Sequence, residues 1–208
     1  MLDRTMRAVL SGPLDALAAA LDRPRVTPDR LTLAGLALAL ASAGAAAAQW
    51  WAAAVVLWLV SRVADGLDGM LARRRRARGD GGDSEAGGFL DITADFIAYG
   101  TGVLGVAWGA TAGYGVAWWP FLLVLVVYYV NGTAFLAFSS IAERTGRRID
   151  DGRSLSFLGR IAEGTETIVV HALWLILPFW SGGIAVVWSV FVGISAVQRV
   201  VAGYRLLR

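Results

Sequence analysis

Three long stretches without formal charge constrain this chain more than any other feature. Residues 31–61 and 96–142 carry no charged side chain, and in residues 167–198 the only ionisable group is His171. Crossing a bilayer takes roughly 20 apolar residues, so each stretch is long enough for one span or two. Composition agrees. The 208 residues are 57% hydrophobic with a mean hydropathy of +0.59, too apolar for a soluble domain of this length. There is no cysteine, so disulfides and thiolate metal sites are ruled out. There is no lysine either, and all 19 basic residues are arginine. No cleavable signal peptide is expected, because the first long apolar run begins only at Leu31.

The charges divide the runs into an all-α integral membrane protein with six transmembrane helices, preceded by an amphipathic juxtamembrane helix. Residues 1–30 form the surface segment and 31–208 the membrane domain. Leu2, Met6, Val9, Leu10, Leu14 and Leu17 recur near helical spacing, with Asp3, Arg4, Arg7 and Asp15 between them. Thr27-Pro28-Asp29 marks a helix start. Spans are expected at about 31–48, 52–72, 87–110, 116–141, 155–179 and from about 184 to Tyr204. Turns are expected at 49–51, 111–115 and 180–183. The turns joining spans one to two, three to four and five to six carry no charge. The N-terminus, the 73–86 loop, the 143–153 loop and the C-terminus hold nearly all the exposed arginines. The positive-inside rule then places both termini on the cytoplasmic side.

Between the second and third spans the chain reads DGLDGMLAR, then an arginine- and glycine-rich stretch, then GGFLDITAD. Asp65 and Asp68 are three apart and Asp91 and Asp95 four apart, so on helices each pair shares a face. Four carboxylates at the edge of a bilayer repel one another and persist only if something positive joins them. Their oxygens are hard ligands suited to magnesium, manganese or calcium, while the lack of Cys and a single distant His argue against zinc. Gly66 and Gly69 each cost about 1 kcal/mol relative to Ala inside a helix. The return is close approach by a ligand or a neighbouring helix. Arg73 offers a planar fork for phosphate oxygens. Together these residues point to a diphosphate bridged by two metals.

The stretch resembles the signature of the CDP-alcohol phosphotransferase family, D-x-x-D-G-x-x-A-R, a spacer, then G-x-x-x-D-x-x-x-D. All eight fixed positions are present: Asp65, Asp68, Gly69, Ala72, Arg73, Gly87, Asp91 and Asp95. The TPDRLTL start of the first span is similar too, and SFLGR and EGTET resemble an uncharacterised inner-membrane branch. The resemblance implies six transmembrane helices, usually a homodimer, and displacement of CMP from a CDP-linked lipid by an alcohol. It implies that Asp65, Asp68, Asp91 and Asp95 hold two divalent ions, Mg2+ or Mn2+, and that Asp95 is the catalytic base. It further implies that Gly69, Ala72, Arg73 and Gly87 contact the CDP group, with Ser84, Asp29 and Thr32 as further nucleotide contacts. The chain departs from the pattern in three ways: relatives commonly carry Asn where Asp29 stands, the spacer is long, and no lysine is available near span five.

Phosphatidyl transfer from CDP-diacylglycerol to a small hydroxyl acceptor is the function expected, with Arg160, Glu163 and Glu166 on span five as acceptor-binding candidates. The partners expected are CDP-diacylglycerol, an alcohol acceptor, membrane lipids and a second copy of the chain, and no nucleic acid. Three alternatives compete. Phosphocholine- or phosphoethanolamine-type transfer from a soluble CDP-alcohol to diacylglycerol uses the same motif. An intramembrane prenyltransferase also holds a diphosphate on aspartates, but has no need of G-x-x-A-R. A cation transporter would string acids across the membrane rather than cluster them at one edge. Elsewhere the ordinary readings lead. Arg62 pairs with Asp65 or reaches the interface, or it binds an acceptor phosphate. His171 and Asn131 make interhelical hydrogen bonds, the Arg73–Arg78 run sets topology and meets anionic lipid, and most tryptophans are interface anchors.

Overall fold

The computed structural model describes residues 2–79, 85–146 and 164–208, with the backbone alone over 2–11. These residues form seven helices: α1 (Leu2–Leu21), α2 (Pro28–Ala47), α3 (Trp51–Ala77), α4 (Glu85–Tyr114), α5 (Trp119–Arg144), α6 (Gly164–Ile176) and α7 (Ser181–Leu207). A 3-10 turn, Pro178–Trp180, precedes α7. The all-helical class is as expected, with one helix, α1, ahead of the others. Among the described residues, α2, α4, α5 and α7 with its 3-10 turn are long and apolar enough to cross a membrane. α3 is long but carries the aspartates and arginines, and α6 shows 13 described residues.

Local chemistry explains most boundaries. Thr27 caps α2, its hydroxyl accepting from the Arg30 amide at 3.3 Å, with Pro28 in the first turn. Three expected turns need correction. The arginine-rich loop does not begin at Arg73: α3 continues to Ala77, because arginine is a good helix former and the first breaker is Gly79, at φ 77°. The 111–115 turn is still helix up to Tyr114, and the chain reverses at Gly115, φ 67°. The turn expected at 180–183 is displaced, with Gly182 and Gly183 inside α7. A methyl on Gly182 would come within 2.8 Å of the Val116 side chain, so tertiary packing holds it there. α6 ends at Ile176 rather than 179, two residues ahead of Pro178.

α2 is the shared partner of α3 and α4, while α5 packs chiefly on α7. Small residues let α2 lie against its neighbours. A methyl at Gly105 or Gly109 of α4 would collide with the backbone carbonyls of Ala43 and Ala46, so these helices meet backbone to backbone. Ser42 adds a hydrogen bond to the Ala54 carbonyl of α3 at 2.7 Å. Deeper in the bundle, Trp58, Val106, Phe121, Trp174 and Trp188 join α3, α4, α5, α6 and α7 in one apolar cluster.

α1 lies against α3 and α6. Leu14 sits over Gly66, 3.7 Å from where a methyl would stand, so the close approach expected at this glycine is made by α1. The arginines of α3 fold back onto the same segment, which adds protein partners to a run read as a topology signal and lipid contact. Arg75 donates to the carbonyls of Val26 at 2.8 Å and Arg23 at 3.0 Å. Asp22 receives Arg75 at 3.1 Å and also Arg78. Arg74 reaches Asp15 at 3.4 Å. Burial pushes the Asp22 carboxyl up, but the bonds from Arg75 and Arg78 outweigh it and hold the group below its ordinary value of 3.8.

Candidate active site

Helical spacing sets the site. Asp65 and Asp68 stand on one face of α3, Asp91 and Asp95 on one face of α4. All four carboxylates lie within electrostatic reach of one another. The two pairs, far apart in sequence, are therefore one cluster. Asp68 is buried and fixed from two sides: its Oδ2 accepts from the Thr32 hydroxyl of α2, and its Oδ1 accepts from the Gly69 amide at 2.5 Å. The same Thr32 oxygen lies 3.2 Å from the Pro28 carbonyl of its own helix, with its one proton shared toward both acceptors. The threonine expected to contact nucleotide is thus already part of the aspartate site, as the donor that orients one acid.

Gly69 leaves room for the Arg73 guanidinium, whose Nη1 lies 3.2 Å from the position a methyl would take. Arg73 is exposed and its Nη2 rests 3.1 Å from the Met70 sulfur. Ala72 and Gly87 are half-buried, the latter in the first turn of α4. Asp29 is exposed in the first turn of α2, three residues before Thr32. Glu166 is half-buried in the first turn of α6. Ser84, Arg160 and Glu163 lie outside the described residues.

Arg62 adds what spacing does not reveal. It is 8% exposed and reaches both halves of the cluster, with Nη1 2.8 Å from Asp95 Oδ1 and 3.5 Å from Asp65 Oδ1. The expected pairing with Asp65 is present, and the closer bond to α4 is new. Trp58 and Tyr99 flank the guanidinium at 4.9 and 5.2 Å from their ring centroids. Trp58 is held in turn by its indole N–H, which donates to the Ile168 carbonyl at 3.1 Å, and by His171, stacked at 4.8 Å. His171 Nε2 lies 3.2 Å from the Tyr128 hydroxyl, the interhelical bond expected of it. Asn131 does not follow suit: its Oδ1 is buried with no partner among the described residues.

The donor set is all oxygen, which suits a hard divalent ion. Among the described residues no group of three acidic or imidazole side chains is drawn together tightly enough to hold one, and Arg62 supplies the positive charge amid the acids.

Comparisons with known proteins bear on this cluster. The family described as CDP-alcohol phosphatidyltransferase matches residues 25–197, a span that contains every described element of the site. The inner membrane protein YnjF of Escherichia coli is 35% identical over all of this chain and 98% of its own length. A phosphatidylinositol phosphate synthase of Mycobacteroides abscessus is 29% identical over 90% of this chain and 76% of its own. The fold is also that of the phosphatidylinositol phosphate synthase of Mycobacterium tuberculosis. Its structure with CDP-DAG bound matches at TM-score 0.69 and 22% identity, covering 92% of this chain and 93% of that one. Its structure with manganese and citrate gives TM-score 0.69 at 24% identity, covering 92% and 88%. With its eight signature positions in place and most of its length matched, the chain belongs to the CDP-alcohol phosphatidyltransferase family.

Proposed function

We propose that this enzyme transfers a phosphatidyl group from CDP-diacylglycerol to a small hydroxyl acceptor, with release of CMP, in a divalent-ion-dependent reaction. The observation that carries the reading is the single cluster made by Asp65, Asp68, Asp91 and Asp95 on neighbouring helices, beside Arg73 at the end of the same motif. The relatives support it: two are phosphatidylinositol phosphate synthases, and one of these has been solved with CDP-DAG and with manganese.

On this reading the four aspartates hold two divalent ions, Mg2+ or Mn2+, which when bound supply counter-charge to the diphosphate. Gly69, Ala72, Arg73 and Gly87 line the CDP group, with Arg73 giving its fork to phosphate oxygens. Asp29, Thr32 and Ser84 complete the nucleotide contacts, and Thr32 does so while holding Asp68. The acceptor oxygen attacks the phosphorus that bears the diacylglycerol, and the bond from that phosphorus to the CMP oxygen breaks. Asp95 takes the hydroxyl proton, and CMP leaves with the bonding pair. Arg160, Glu163 and Glu166 remain the acceptor-side candidates. The architecture proposed with this chemistry is six spans in an inner membrane, assembled as a homodimer, with both termini and the site on the cytoplasmic side. It is supported by the charge pattern of the loops and by the inner-membrane relative.

The test is CMP release from CDP-diacylglycerol by purified protein in detergent with Mg2+, with and without chelator. A panel of alcohols that includes inositol phosphate, glycerol phosphate and serine serves as acceptors, and the lipid product is identified by mass spectrometry. Chelator-sensitive CMP release with a new phospholipid is the expected result. No CMP release with any acceptor, together with no binding of the nucleotide, would sink the proposal.

A further inference from the structure

We infer that Arg62 is a positioning residue of this site: a tethered cation that orients the Asp95 carboxylate, joins α3 to α4 across the acidic cluster, and must be outcompeted by divalent ions. This rests on the reading of Asp95 as the base. Four observations carry it. Arg62 is buried in a region where a lone charge is costly, so its place depends on partners. Those partners come from both helices, Asp65 on α3 and Asp95 on α4, with the shorter bond to the residue assigned the proton transfer. The guanidinium is fixed in angle as well as position, by Trp58 and Tyr99 beside it and by Nε donating to Ser61 Oγ at 3.2 Å. Its charge also lies on the very carboxylates that an ion would need, and no three of the described acids are otherwise drawn together. A planar fork can satisfy all of these at once, whereas a lysine ammonium supplies charge without the fork or the stacking plane.

The experiment compares Arg62→Gln, Arg62→Lys and Tyr99→Leu with the unaltered enzyme. All are purified in detergent and checked for monodisperse elution. CMP release is measured at saturating Mg2+, and thermal unfolding is followed separately during a Mn2+ titration without substrate. For Arg62→Gln, kcat falls by roughly 10- to 100-fold, part of the usual worth of a general base. KM for CDP-diacylglycerol stays within about twofold, because the fault lies in orientation rather than in donor binding. Arg62→Lys recovers only part of the loss. The Mn2+ concentration at half-maximal stabilisation falls by roughly tenfold in Arg62→Gln, since a competing cation has been removed. Tyr99→Leu moves both readings the same way by less, and should Arg62→Gln fail to fold, it and Arg62→Lys carry the same two readings. Full activity in Arg62→Lys would overturn the positioning role. A Mn2+ midpoint that is unchanged or raised in Arg62→Gln would overturn the competition. If the unaltered enzyme releases no CMP, the transfer reading fails by itself, and the Mn2+ midpoint still decides the place of Arg62.

Discussion

The α2–α3–α4 group and the α5–α7 pair are built on different terms. In the first, helices touch through glycine and alanine, and the buried polar groups around the aspartates are matched: Thr32 to Asp68, Ser42 to the Ala54 carbonyl, Arg62 to Asp65 and Asp95. In the second, Trp188 donates to the Tyr128 hydroxyl at 2.7 Å and Arg199 lies over the Phe135 ring at 5.6 Å. Yet the side-chain oxygens of Asn131 and Gln198 are buried without a partner among the described residues. Buried polar atoms are ordinarily paired. The contrast teaches that the first group presents a finished charge arrangement. The second carries polar side chains whose use is not fulfilled within the described chain.

The largest effect expected is at the finished end. Asp95→Asn should reduce turnover to background, a loss of about 10²- to 10⁴-fold, with CDP-lipid binding retained. Normal turnover in that variant would remove Asp95 from the base role. Next comes the packing that holds the two acidic pairs together. Gly109→Leu forces side-chain atoms into the Ala46 carbonyl, and should cost about 1–3 kcal/mol or more. Thermal unfolding in detergent measures it, and an unchanged midpoint would mean that α2 and α4 can part without penalty. Thr32→Val removes the hydroxyl that orients Asp68. A bond to a charged group is worth about 1.5–3 kcal/mol, so kcat/KM should fall by roughly tenfold or more. Activity equal to the parent would leave Thr32 a bystander.

The other group should respond in the opposite sense. Asn131→Leu replaces a buried, unpaired oxygen with an apolar group, so the unfolding midpoint should hold or rise. A drop of about 1 kcal/mol, the worth of an ordinary hydrogen bond, would show that Asn131 is paired after all and erase the contrast. The smallest effect belongs to the surface. Asp22→Asn should alter activity by less than about twofold, because its partners Arg74, Arg75 and Arg78 lie outside the aspartate cluster. The sign with pH is fixed. A carboxylate held below its ordinary 3.8 contributes stability above that pH and loses it as pH falls through the folded value. Protease sensitivity of the 22–27 linker should therefore rise on acidification in the parent and much less in the variant.

The aspartate cluster was legible in the sequence because its information is local. Spacings of three and four put acids on one helix face in any tertiary setting, and the uncharged runs pointed to an all-helical membrane chain. What stayed hidden depended on which helices meet. Arg62 sits three residues from Asp65, and that pairing could be read. Its bond to Asp95 crosses from α3 to α4 and leaves no trace in spacing. The arginine run looks the same whether it faces lipid or folds back, and only the structure shows Arg75 holding the Arg23 and Val26 carbonyls. Thr32 was picked out through a family pattern, but its bond to Asp68 needed the α2–α3 contact to be seen. The misplaced turns have local and tertiary causes: the arginines after Arg73 are good helix formers, and Gly182, which reads as a breaker in isolation, is packed against Val116 inside α7.

α3 has a consequence for how the protein is made. It is the helix that carries Arg62, Asp65, Asp68 and the arginine run, and it is absent from the four helices apolar enough to cross a membrane by composition. Charged side chains at a helix centre each cost about 2.5–3.5 kcal/mol on insertion scales. If α3 spans, it therefore enters the bilayer poorly as a solitary segment and well only in company. α2, which precedes it, offers the Thr32 hydroxyl, and α4, which follows, carries the carboxylate that neutralises Arg62. The side chains proposed to perform the chemistry are thus also those that would make membrane integration of α3 depend on its neighbours. Substitutions that unbalance their charge should show first as lost protein in the membrane, before any assay of turnover can be run.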